Sequence, residues 1–157
     1  MSELGDLARK LRSMDSARVN GILARHLDRA HPPVTLAIRR NVLAIPVKGT
    51  KHTGLRARIA GAVDGWSRET TTGAQVGVAV FPGRTFGGNA YYTLPLYMEG
   101  AEAGAKWSRW RHPVYGNPEV WRGQDSHEYF YGPASLLSVT ADIAIRGALD
   151  EITQALS

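Results

Sequence analysis

The side chains best suited to chemistry in this chain are its five histidines, His26, His31, His52, His112 and His127. None forms a His-x-His, His-x₃-His or HExxH pair, so no preassembled metal site is spelled out. Cysteine is absent, which removes disulfides, thiolate metal ligands and cysteine nucleophiles together. His127 and Glu128 are adjacent, and neighbours on a strand point to opposite faces. Glu99, Glu102, Glu119, Asp125 and Glu128 could supply an acid/base pair, but no spacing singles two of them out. No Gly-x-Ser-x-Gly elbow occurs. The run Gly83-Arg84-Thr85-Phe86-Gly87-Gly88-Asn89 has glycines five apart, like a phosphate loop. Asn89 and Ala90 then stand where that loop needs its lysine and its magnesium-binding hydroxyl. The expectation is a non-enzymatic chain with no catalytic residues, cofactor or metal; a small hydrolase using acidic residues and His112 is the weakest alternative.

Aromatic residues interleaved with cations are more telling. Trp107, Arg109, Trp110 and Arg111 combine phosphate contact with base stacking, as single-stranded nucleic-acid sites do. The same mixture anchors protein–protein interfaces, and arginine stems also lie over indoles inside a fold. With no nucleic-acid-binding motif present, interface or core ranks first. A basic nucleic-acid-binding module would use Arg39, Arg40, Lys48, Lys51, Arg56 and Arg58, and its affinity would fall steeply with salt.

These residues must be positioned by the elements around them. Leu4, Leu7, Leu11 and Met14 recur at helical steps. Asp15-Ser16 caps a second helix with Val19, Ile22, Leu23 and Leu27 on one face. His31-Pro32-Pro33 ends it and opens a third, with Val34, Ile38, Val42 and Ile45 inward. Thr53-Gly54 precedes a short helix carrying Leu55, Ile59 and Val63, with Gly65 as its stop. At 75–81, Val76, Val78 and Val80 alternate with small residues, a strand pattern. Residues 82–93 form a Gly- and aromatic-rich loop holding Phe86, Tyr91 and Tyr92. Leu94 to Met98 is a short apolar segment. Gly116-Asn117-Pro118 predicts a turn between strands 109–115 and 119–124. A closing amphipathic helix carries Val139, Ile143, Leu149, Ile152 and Leu156 as one stripe, imperfect near Arg146. The order predicts an α+β fold, a small antiparallel β-sheet packed by N-terminal and C-terminal helices.

The 157 residues suit one domain. No apolar run nears the roughly 20 residues of a membrane span, and no secretory signal is expected at the N-terminus. The net charge of +5 is uneven. Residues 1–70 hold 13 Lys/Arg against 6 Asp/Glu, and residues 71–157 hold 6 against 8. A basic half can steer the chain toward an acidic partner, or can be the solvated face of Arg-rich helices, the simpler reading where no run of five like charges occurs.

The run Trp110-Arg111-His112-Pro113-Val114-Tyr115-Gly116-Asn117, followed by Val120-Trp121 and Gln124, resembles the tail-completion (head–tail joining, or neck) proteins of long-tailed phages, the siphophages. Members show an Arg-His-Pro-Val-aromatic-Gly-Asn turn and then a Trp and a Gln. Leu96-Tyr97-Met98-Glu99-Gly100 is similar to the family's aromatic-apolar-Glu-Gly segment, and Gly54-Leu55-Arg56-Ala57-Arg58-Ile59-Ala60 to the helix before its first strand. The resemblance covers about residues 54–156, and the chain departs from it in the long loop at 82–93. The organisation expected is a single domain over 1–157, with a helical region 1–48 and an α+β core 54–157 resembling the neck family.

The resemblance implies a structural virion protein, a ring-forming homo-oligomer expected as a hexamer. Its partners would be a stopper or connector protein on one side and the tail-tube protein on the other, with genomic DNA passing through the channel and no membrane. It would be assembled in the host cytoplasm and would reside in the tail or neck of the virion. A tail terminator capping the tube is the neighbouring alternative. The expected subunit interface draws on Phe86, Tyr91, Tyr92, Trp107, Trp110, His112, Tyr115 and Trp121. Pro113 biases His112 to extended backbone, and Gly116 and Asn117 tolerate positive φ, so the turn can hold Tyr115 and Trp121 in fixed register.

Overall fold

The computed structural model describes residues 15–46, 54–81, 94–99, 101–102, 105–106, 109–114 and 117–156. The predicted helix over Leu4–Met14 lies outside them. Helix α1 (Ser16–Leu27) starts where the sequence places it: Asp15 is extended (φ −60°, ψ 126°) and its side chain accepts from the Ala17 N–H at 3.0 Å. Helix α2 spans His31–Ala44, with two prolines in its first turn. Val34, Ile38 and Val42 on it, and Ile45 just beyond, are all buried. A fully buried Ile contributes about 1.5–3 kcal/mol, so this line of four is a principal reason the segment is helical. Helix α3 (Leu55–Ala62) follows Gly54, whose φ of 68° is one that a Cβ would disfavour.

Val63, expected at the end of α3, instead opens strand β1 (Val63–Thr70), which pairs with β2 (Gly73–Val80) across a two-residue turn. β1 has little local strand propensity, holding Asp64, Gly65 and Ser67. Pairing with the valine-rich β2 overrides that preference. The apolar segment before Gly100 is a single helical stretch, α4 (Leu94–Glu99). Strands β3 (Ala101–Glu102) and β4 (Ala105–Lys106) pair briefly. Strands β5 (Arg109–Val114) and β6 (Asn117–Asp125) form the expected antiparallel hairpin, with an irregularity between Pro113 and Val114. A single helical turn, α5 (Tyr131–Ala134), precedes the long helix α6 (Leu136–Leu156). The fold is α+β: among the described residues, three two-stranded ladders are preceded and followed in the chain by helices. No helix among the described residues is long and apolar enough to cross a membrane.

Contacts gather into two compact units. In the first (residues up to 35, 65–78 and 135–157), α1 packs on α6. Ile22, Ala148 and Ile152 form the buried centre, flanked by Val19, Leu23 and Leu156. The Asn20 amide donates to the Thr70 carbonyl at 3.1 Å and ties α1 to β1. In the second (36–64 and 79–134), Arg39 donates through Nε and Nη2 to the Val63 carbonyl, at 3.2 and 2.7 Å. The Arg56 Nη1 donates to the carbonyls of Leu43 and Ile45. Two arginines thus tether backbone groups left over at element ends.

The second unit also holds a buried carboxylate. Glu99, at the end of α4, is 7% exposed. Its Oε2 accepts from the N–H groups of Tyr129 (2.6 Å) and Phe130 (2.8 Å), and its Oε1 from that of Tyr131 (3.0 Å). The Tyr129 hydroxyl donates to the Pro95 carbonyl at 3.0 Å, and the His127 N–H to the Met98 carbonyl at 2.8 Å. Burial, followed by the Glu99 charge, pushes the Tyr129 phenol well above its ordinary pKa. One carboxylate therefore shapes the start of α5.

Candidate subunit interface

Of the residues expected at an interface, Phe86, Tyr91, Tyr92, Trp107 and Tyr115 lie outside the described residues. Trp110, His112 and Trp121 lie on the β5–β6 hairpin, where the backbone register is defined. Trp110 stands opposite Gln124, His112 opposite Arg122, and Pro113 opposite Trp121. Residues up to fourteen apart in sequence are thus brought into adjacent cross-strand pairs. At the open end of the ladder Arg109 faces Asp125, with 3.9 Å between Nε and Oδ1.

The described side chains add a surface that sequence spacing misplaced. The stripe expected on α6 joins Val139, Ile143 and Leu149 to Ile152 and Leu156 on one side of an amphipathic helix, imperfect near Arg146. Only its C-terminal part packs inward: Ile152 is buried and Leu156 partly so, while Val139, Ile143 and Leu149 are 57%, 66% and 53% exposed. The helical turn explains this. At 100° per residue, Val139 and Ile143 lie about 160° round the axis from the Ala148–Ile152 line that meets α1. Leu136, Val139 and Ile143, at i, i+3 and i+7, make a second, outward stripe. Its sign in the sequence was the break near Arg146, where the two faces exchange.

Beside that stripe, α1 and α6 leave an open groove of about 390 Å³, lined by His26, Arg29, Thr140, Ile143, Ala144 and Gly147. Gly147 allows the close approach: a Cβ there would sit 3.1 Å from the His26 Nδ1. Across the same helix pair Glu151 accepts from Arg25 and meets the His26 Nε2 at 2.8 Å. These bonds, that to His26 first, hold the Glu151 carboxyl below its ordinary value of 4.5. A carboxyl depressed on folding stabilises above its unfolded-state pKa, and that contribution is lost as pH falls through the folded value. Glu151→Gln is therefore expected to melt below the parent at about pH 7, with a smaller gap at an acid pH below 4.5. Paired thermal melts at the two pH values check this, and an equal gap at both would refute it.

A second polar group joins α1, α2 and β1. Asp28 Oδ1 accepts from the Ser67 hydroxyl at 2.9 Å and lies 3.3 Å from the His31 Nε2. Those two bonds, Ser67 first, lower the Asp28 pKa. A Ser, a His and an Asp meet here, but not as a triad. The hydroxyl donates to the carboxylate, and the imidazole turns Nε2 to the same oxygen, so nothing draws the hydroxyl proton toward the ring. On β1 and β2, Arg68 lies 4.9 Å over the Trp66 ring and donates to the Gln75 Oε1.

Of the cations that a nucleic-acid module would use, Arg39 and Arg56 are engaged with backbone carbonyls. Arg40 is exposed, and Lys48 and Lys51 lie outside the described residues. Among the described residues no three His, Asp or Glu side chains cluster as a metal site.

No protein-family model, curated protein or solved structure matches the chain.

Proposed function

We propose that this chain is a structural subunit of a long-tailed phage particle, a tail-completion or neck protein that forms a ring, expected as a hexamer, between head connector and tail tube. The observation that carries the reading is the β5–β6 hairpin. The separated pieces that resemble the neck family (Trp110 to Val114 and Asn117, then Trp121 and Gln124) fall into one ladder, Trp110 opposite Gln124 and Pro113 opposite Trp121. Two further pieces have structural roles that suit the same reading. Glu99, from the aromatic-apolar-Glu-Gly segment, caps the backbone at 129–131. The Gly54–Ala60 segment forms the helix that runs directly into β1. A ring subunit must also offer two different patches to its neighbours, and an outward apolar stripe suits such a contact better than it suits a solitary chain.

The test is the mass of the purified chain alone and after mixing with tail tubes, read by light scattering and by co-sedimentation. A defined ring, or saturable binding to tube ends, is the expected result. A chain that stays monomeric and ignores the tubes overturns the reading. DNA affinity that depends strongly on salt yet persists at moderate salt, without tube binding, would transfer the function to nucleic-acid binding instead.

A further inference from the structure

We infer that the groove between α1 and α6 receives the N-terminal segment, residues 1–14, of a second copy of this chain. This deepens the ring reading by naming both patches of its head-to-tail contact.

The groove has an apolar wall and a basic end. Ile143, Ala144 and Gly147 line its apolar side, and Leu136 and Val139 continue the exposed stripe of Ile143 along the α6 surface beside it, each of the three more than half exposed. Arg29 lies at the same end, near Thr140 and Ile143, and forms no ion pair among the described residues. A groove of this kind takes an amphipathic helix whose apolar face carries acidic residues at one end. Residues 1–14 have that composition: Leu4, Leu7, Leu11 and Met14 repeat at helical steps, and Glu3 and Asp6 flank the first of them.

Chain direction selects the copy. α1 runs antiparallel to α6, since Val19 and Leu23 join Leu156 while Arg29 reaches Thr140. Asp15 is therefore at the far end of α1 from Arg29. Entering the groove of its own chain would require residues 1–14 to reverse at once against α1, and such reversals take about 2–5 loop residues. In the sequence the apolar repeat runs up to Met14 and Asp15 is already the cap of α1, which leaves fewer residues between the two than such a loop takes. A neighbouring copy needs no reversal.

The chain lacks cysteine, which makes pairwise cross-linking specific. Full-length Leu7→Cys is mixed with full-length Ile143→Cys under mild oxidation, with Leu7→Cys plus Ser138→Cys as the control on the opposite side of α6. The expected product is an interchain Leu7–Ile143 disulfide, well above the control and identified by mass spectrometry of the non-reduced dimer. Arg29→Glu in the Ile143→Cys partner is expected to lower its yield about fivefold, the factor for roughly 1 kcal/mol of rim charge. Asp6→Arg in the other partner should restore it.

A yield no higher than the control overturns the inference. So does a double variant, Leu7→Cys with Ile143→Cys, that closes only within one chain. The neck assignment fails separately: a chain that cross-links between copies but never binds tail tubes keeps this interface and loses that role. One that binds tubes without cross-linking keeps the role and loses the interface.

Discussion

Glu99→Ala is expected to lower the unfolding free energy by about 3–5 kcal/mol, the range for uncovering several buried polar groups at once. Three successive N–H groups, those of Tyr129, Phe130 and Tyr131, converge on this one carboxylate. Bonds to a charged acceptor are stronger than neutral ones, and truncation leaves the buried Tyr129 N–H and the part-buried Phe130 and Tyr131 N–H groups without their acceptor. Glu99→Gln separates charge from shape. An amide fills the same space but offers one acceptor oxygen, so its NH₂ confronts at least one backbone donor, and a loss of about 2 kcal/mol is expected. Denaturant titration of the three proteins checks the order parent, Gln, Ala. If Glu99→Ala matches the parent within about 0.5 kcal/mol, the carboxylate does not hold the 129–131 segment. Because Tyr129 is 1% exposed and anchored through its hydroxyl to Pro95, loss of the cap should also release the fluorescence and proteolytic protection of this region.

Gly65→Ala is expected to cost about 2–3 kcal/mol, in the range for forcing an extra group into a packed site. A Cβ at Gly65 would lie 2.3 Å from the His31 Nδ1, and 2.6 and 2.8 Å from its Cγ and Cβ. The nearest atoms include the root of the imidazole rather than a flexible tip, so the ring cannot simply swing aside. The ring is also held at Nε2 by Asp28, which in turn accepts from Ser67. The distinguishing measurement is the double variant. His31→Ala removes the obstructing ring, and Gly65→Ala in that background should cost less than about 1 kcal/mol. Additive losses in the two backgrounds would show that the penalty arises from the β1 backbone and not from the contact. Gly77 stands in the same relation to Trp66, with a Cβ 2.6 Å from the indole Cζ2. Gly65 and Gly77 on this hairpin therefore admit a neighbouring ring, a role distinct from turn formation.

Much of the architecture was legible from local pattern. The cap at Asp15, the inward line Val34–Ile38–Val42–Ile45, the short helix after Gly54 and the hairpin around residues 109–125 follow from side-chain period and turn chemistry. Each depends on interactions between residues close in sequence. The hairpin was visible for the same reason: its partner strand lies just beyond its own turn. The Glu99 segment is visible as a motif, but its role depends on a partner thirty residues away.

What tertiary structure alone decided is where long-range pairing overrules local preference. β1 is a strand because β2 lies beside it, although Asp64, Gly65 and Ser67 do not favour one. The face of α6 that turns inward is chosen by α1, through Ala148 and Gly147, small residues that carry almost no hydrophobic signal but admit a second helix closely. Sequence periodicity reports how many apolar residues share a helix. Which of them are covered depends on the shape of the surface that arrives against them, and on α6 that geometry leaves Leu136, Val139 and Ile143 outward, available to a neighbour.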